Sequence, residues 1–168
     1  GTTRGLGFSL ATLLGSNSKN DVIEINRTRP ATSMANNTTL KIDLSKKLSI
    51  KLIGSFLKLI SRHNYKSIYL ICNASTVSPI RALGDLDNES LRKTINTNFT
   101  NQTILINELA KVSKNIYTGH NIKYRIVLIS SAATESPHHG LALYCSTKAA
   151  IEMIVRCGFV ESQKGGRL

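Results

Sequence analysis

Residues 124–148 read YRIVLISSAATESPHHGLALYCSTK, and the two ends of this stretch obey different periods. Tyr124 to Ser130 is a brief, largely aliphatic run, suited to a strand covered on both faces, as strands of a parallel sheet are. A loop containing Pro137 and Gly140 follows. Beyond it, a helix-forming run is expected to extend over 142–162. Strand, loop and helix in this order make half of a βαβ unit.

The same alternation recurs along the chain. Further strands are expected at 21–26 (DVIEIN), 39–43 (TLKID) and 67–72 (SIYLIC), with helices near 5–15, 45–63 and 89–116. In the longest of these, Leu91, Ile95, Phe99, Ile106 and Leu109 fall at helical spacing. Right-handed βαβ units of this kind specify a doubly wound α/β fold with a mostly parallel sheet and helices on both faces. The 168 residues contain no repeat, low-complexity tract or Pro/Gly-rich linker, so 1–168 is read as one domain. Its ends look cut. A strand is expected before the glycine-rich residues at the start, and a further segment after the last helix.

Composition narrows the function classes. An apolar fraction of 41% and a charged fraction of 19% suit a globular protein. No apolar run nears the roughly 20 residues that span a bilayer. Cys72, Cys145 and Cys157 are odd in number and widely spaced, which argues for a reducing, cytoplasmic setting and against a disulfide framework. The net charge of +12 could serve polyanions. Its one concentrated stripe, Lys47, Lys51, Lys58 and Arg62, lies opposite Leu48, Leu52, Phe56, Leu59 and Ile60, and reads as the solvated face of a helix packed on a sheet. Without clustered aromatics or a reading motif, a nucleic-acid partner is not expected. His138 and His139 follow Pro137 in a loop with no third ligand nearby, so no metal is expected either.

Several short motifs carry chemistry. GTTRGLG places glycines at 1, 5 and 7 before a helical run, and such a turn lets the backbone approach a pyrophosphate. Tyr144 and Lys148 stand four apart on one helical face. Read alone, they are either a reactive pair or an exposed pair on an amphipathic helix. A tyrosine is a willing acid but a poor base near neutrality, and a neighbouring ammonium favours its phenolate.

In order and spacing, these motifs resemble the short-chain dehydrogenase/reductase family. The glycine loop matches the family's G-x-x-x-G-x-G over Gly1, Thr3, Arg4, Gly5, Leu6 and Gly7. NRT places Asn26 and Arg27 beside the adenosine ribose. Arg27, with Arg4, stands where an acidic residue would select NAD(H), so the resemblance implies NADP(H). Asp43 and Leu44 stand where similar proteins hold adenine, and Asn73, Ala74 and Ser75 occupy the N-N-A-G position. Cys72 and Ser75 depart from that pattern. The resemblance implies a catalytic set of Asn98, Ser131, Tyr144 and Lys148, with Asn96 competing for the first place and Ser130 for the second. Tyr144 and Lys148 would also touch the cofactor. LALYCSTKAAIEMIVR and NASTVSPIRAL look nearest to the sepiapterin reductase and benzil reductase group. The expected activity is NADPH-dependent reduction of a small ketone or 1,2-dicarbonyl by a cytoplasmic homodimer or homotetramer, with no membrane partner. A cofactor-binding sensor or scaffold of the same fold, without turnover, is the alternative.

Overall fold

The computed structural model describes residues 1–30, 36–61, 65–115 and 122–163. Helix α1 (Gly5–Gly15) leads to strands β1 (Val22–Asn26) and β2 (Asn37–Lys41). Helix α2 (Ile50–Ile60), strand β3 (Ser67–Cys72) and helix α3 (Asn88–Ile95) follow. A π-helical turn (Asn96–Thr100) joins α3 to α4 (Asn101–Asn115). Strand β4 (Lys123–Leu128), a 3₁₀ turn (Ala132–Thr134) and α5 (Ala142–Gln163) complete the order.

The strands form two parallel pairs. β1 lies beside β2, from Val22↔Asn37 to Asn26↔Lys41. β3 lies beside β4, from Ser67↔Lys123 to Cys72↔Leu128. Among the described residues no strand joins the two pairs. The dipeptide Gly1–Thr2 meets both: Thr2 N donates to Asn26 Oδ1 (2.7 Å), and Asn73 Nδ2 donates to Gly1 O (2.9 Å).

The main core gathers Ile42, Leu44, Leu48, Phe56, Ile60, Leu105, Leu109 and Tyr124, and Ile23, Ile25, Leu40, Ile68 and Leu70 pack against it. A smaller cluster of Cys72, Ile106 and Ile151 binds α4 and α5 to the β3–β4 pair. Strand alternation divides the work in β1. Ile23 and Ile25 pack on the main core, while the alternate Glu24 and Asn26 engage Thr2 of the glycine loop.

Several element boundaries differ from the sequence expectation, and β4 runs Lys123–Leu128 rather than 124–130. β2 ends at Lys41, because Asp43 turns the chain by accepting from Ser45 N (3.0 Å) and Ser45 Oγ (2.7 Å). α2 starts only at Ile50, where Ser49 caps it by accepting from Leu52 N. Its basic stripe retains exposed Lys47, Lys51 and Lys58; Arg62 lies outside the described residues. The helix expected over 89–116 is broken by the π turn, whose residues answer to partners far away in sequence. No described helix is long and apolar enough to cross a membrane.

Asn101, 1% exposed, begins α4 and donates Nδ2 to the carbonyls of Leu44 (2.8 Å) and Lys46 (2.7 Å). It therefore fixes the β2–α2 connection over the core. Asn101→Ala is expected to cost about 2–4 kcal/mol, since two carbonyls lose their partner. A lowered urea midpoint with an unchanged slope would register this.

Candidate active site

The glycine loop is shaped by contacts as close as atoms allow. A Cβ on Gly7 would lie 2.0 Å from Gly1 O and 2.5 Å from Asn73 Nδ2. Gly5 adopts φ +56°, a left-handed conformation that favours glycine. The loop is pinned from below by Asn26, whose Nδ2 donates to Thr2 Oγ1 (2.6 Å). Thr2 Oγ1 donates in turn to Glu24, and Asn37 Nδ2 donates to the same carboxylate (2.7 Å). Glu24 is 2% exposed. The sequence reading missed this acid, because a single Glu in a strand looks like ordinary polar alternation.

The loop suits an anion. Arg4 gives α1 no side-chain cap, and no acidic residue stands in the first turn, so the uncapped amides keep their positive end. Thr3 and Arg4 are exposed beside it, and Arg27 is exposed just beyond β1. Leu6 is half exposed on α1. Asp43 lies within the field of Arg27. Burial works against its charge, but hydrogen bonds from Ser45 and the charges of Arg27 and Lys46 hold its carboxyl below the usual carboxylate range. The Leu44 side chain packs in the core, and its carbonyl accepts from Asn101 Nδ2.

Beyond β3, Asn73 holds the loop, the Ala74 carbonyl accepts from Gln102 Nε2 (2.7 Å), and Ser75 is exposed. Gln102 Nε2 also reaches the carbonyls of Thr97 (2.9 Å) and Asn98 (3.2 Å), lacing the π turn to the end of β3. Asn98 is fully buried. Its Oδ1 accepts from Thr76 N (2.8 Å), and its Nδ2 donates to Thr76 O (2.8 Å) and Thr147 Oγ1 (3.1 Å). Both amide atoms are thereby engaged by protein partners. Asn96 reaches a different place, donating to Ser45 O (3.1 Å).

The two serines also separate. Ser130 Oγ donates to Glu152 Oε2 (2.7 Å). Ser131 sits in extended backbone (φ −154°, ψ 145°) and its Oγ accepts from Ala133 N (3.3 Å), which leaves its own proton for another acceptor. Lys148, 5% exposed, donates Nζ to the carbonyl of Ile129, two residues before Ser131. Burial lowers its pKa, against the opposing pull of Cys72 and Glu152. Burial drives the Cys72 thiol up to about 12, despite the nearby ammonium, so this cysteine stays a protonated core residue. Tyr144 lies one turn before Lys148, and its carbonyl accepts from Thr147 Oγ1 (2.9 Å). Asn98, Ser131, Tyr144 and Lys148 are thus brought around one end of the β3–β4 pair. His138 and His139 are exposed, and no group of three metal-binding side chains occurs among the described residues.

A strap borders this site. Thr76 is held by Asn98, Ser78 O accepts from Thr94 Oγ1 (3.1 Å), and Arg81 N donates to Gly140 O (3.0 Å). The strap still exposes Val77, Ile80 and Leu83.

Comparison with known proteins follows the same lines. A family model for the short chain dehydrogenase matches residues 1–166. Benzil reductase ((S)-benzoin forming) from Bacillus cereus is 31% identical over 165 residues, covering 94% of this chain. The chain spans 64% of that relative's length. A short-chain dehydrogenase/reductase from Burkholderia vietnamiensis superposes with a TM-score of 0.77 at 25% identity, over 94% of this chain and 73% of its own. 4-Hydroxyisoleucine dehydrogenase, complexed with NADH and succinate, gives 0.79 at 22% identity, over 98% and 72%.

Gly7→Ala is expected to cost about 1–3 kcal/mol, as overpacking does, because the obstructing atom is a backbone oxygen that cannot rotate aside. A drop in thermal midpoint relative to the unsubstituted protein measures it.

Proposed function

The chain belongs to the short-chain dehydrogenase family, and on that premise we propose that it is an NADPH-dependent carbonyl reductase acting on a small ketone or 1,2-dicarbonyl. The observation that best supports this is the tie from Lys148 Nζ to Ile129 O, which brings the Tyr144 face of α5 against the strand end that leads into Ser131. Residues 1–168 act in this reading as one NADP-binding domain of a cytoplasmic homodimer or homotetramer, with copies pairing along α3 and α4.

NADPH would lie with its pyrophosphate on Gly1–Gly7 and its 2′-phosphate between Arg4 and Arg27, whose planar forks suit phosphate. The fold does not make that choice, since a structure of the same fold is complexed with NADH. Held there, NADPH would supply the hydride that a carbonyl reduction needs. Ser131 Oγ–H donates to the carbonyl oxygen and orients it. The Tyr144 hydroxyl gives its proton to the same oxygen, so ketone, hydride and proton together balance as the alcohol. Lys148 spends one of its three donors on Ile129 O and keeps two for ribose hydroxyls. Its positive charge, one turn from Tyr144, favours the phenolate left behind. Asn98 would position a water through which the Lys148 proton is replenished. Exposed Val77 and Ile80 on the strap would flank the carbonyl's substituents in this reading, in keeping with the likeness to a benzil reductase.

Tyr144→Phe is expected to lower kcat by about 10²–10⁴-fold while NADPH affinity stays nearly constant. NADPH oxidation over a panel of diketones checks this, and unchanged turnover would refute the assignment. Arg27→Asp is expected to shift cofactor preference from NADPH toward NADH. Equal relative rates with the two cofactors before and after the change would count against the phosphate role.

A further inference from the structure

Tyr144, Lys148 and Glu152 succeed one another at four-residue intervals and form one row along α5. Two successive residues of the strand end are fastened to the later two of this row. Ile129 O accepts from Lys148 Nζ, and Ser130 Oγ donates to Glu152 Oε2 (2.7 Å). The next residue, Ser131, has only local ties among the described residues: its Oγ accepts from Ala133 N, and its carbonyl accepts from Thr134 N and Thr134 Oγ1. Its placement therefore depends on how firmly Ser130 is held.

We propose that Glu152 is a positioning residue for the carbonyl chemistry: its carboxylate holds the Ser130–Ser131 strand end on α5, and its negative charge counterbalances Lys148 within the reacting row. This rests on the reading of Tyr144 and Lys148 given above. Among the described residues, exposed Arg156 continues the row one turn beyond Glu152. Lys148 is faced by Cys72 from β3 and by Glu152 from its own helix, with Tyr144 one turn earlier. Glu152 shares an open cleft of about 560 Å³ with Ser130, Ser131, Ala132, Thr134 and Glu135, so Glu135 is the one other carboxylate lining it.

Tether and charge can be separated. Glu152→Gln keeps an oxygen able to accept from Ser130 and removes the charge. Ser130→Ala keeps the charge and removes the tether. With ¹³Cε-lysine labelling, and Lys148→Arg to identify its resonance, Glu152→Gln is expected to move the Lys148 titration to lower pH by about half a unit to one unit. Loss of a nearby negative charge leaves the ammonium less favoured, which fixes that sign. Ser130→Ala is expected to lower kcat about tenfold, with the Lys148 titration and the urea midpoint unchanged. An unshifted Lys148 titration in Glu152→Gln would overturn the charge role, and wild-type kcat in Ser130→Ala would overturn the tether. The resonance is read without substrate. Failure of the unsubstituted protein to reduce any carbonyl would therefore indict the functional reading, and an unshifted resonance would indict Glu152.

Discussion

A single buried carboxamide holds the chemical end of this protein together. Asn98 meets both backbone atoms of Thr76 and the hydroxyl of Thr147, so it binds the segment leaving β3, the helix continuing from α3 and the helix bearing Tyr144. Without water inside the fold, each of these polar groups would be costly to leave unpaired. The π turn follows from that demand. One extra residue in the helical ladder lets Asn98 reach inward, and Gln102 ties the loosened carbonyls to Ala74. The strap from Thr76 to Arg81 inherits its position from the same group.

The two ends of the site hang on different strand pairs. Asn26 and Glu24, on the β1–β2 pair, hold the glycine loop. Ile129, Ser130 and Ser131 continue from β4 of the other pair. Between the pairs, polar links run through Gly1 and Thr2, while the main core beneath, with α2 and α4, provides the bulk of the cohesion. A basic chain thus arranges a buried acid, Glu24, under its anion-suited loop, where it fixes the loop by accepting hydrogen bonds.

Much of the fold was legible in the sequence, because local periodicity is what a sequence carries best. Short aliphatic runs became four parallel strands, and α1 begins and ends where its glycine-led run suggested. One miss is local: Asp43 leaves β2 to make a turn with Ser45. The other is not, for the break at Asn96–Thr100 answers to Thr76 and Thr147, 22 and 49 residues from Asn98. No window of neighbouring residues contains that information. The candidate residues were findable by spacing, but their neighbours were not. Glu24, Gln102, Thr147 and Glu152 have no motif of their own, and their importance lies in which distant atom each one meets.

The adjacent serines show what strand geometry demands of heredity. Successive side chains of an extended chain face opposite ways, so Ser130 and Ser131, chemically identical, serve unlike neighbours. Loss or gain of one residue within β4 would exchange their surroundings without altering the local composition. Length changes in the exposed stretch after Thr134 would leave that parity intact. Related chains should therefore vary in length between the 3₁₀ turn and α5, while keeping count strictly from β4 to the second serine.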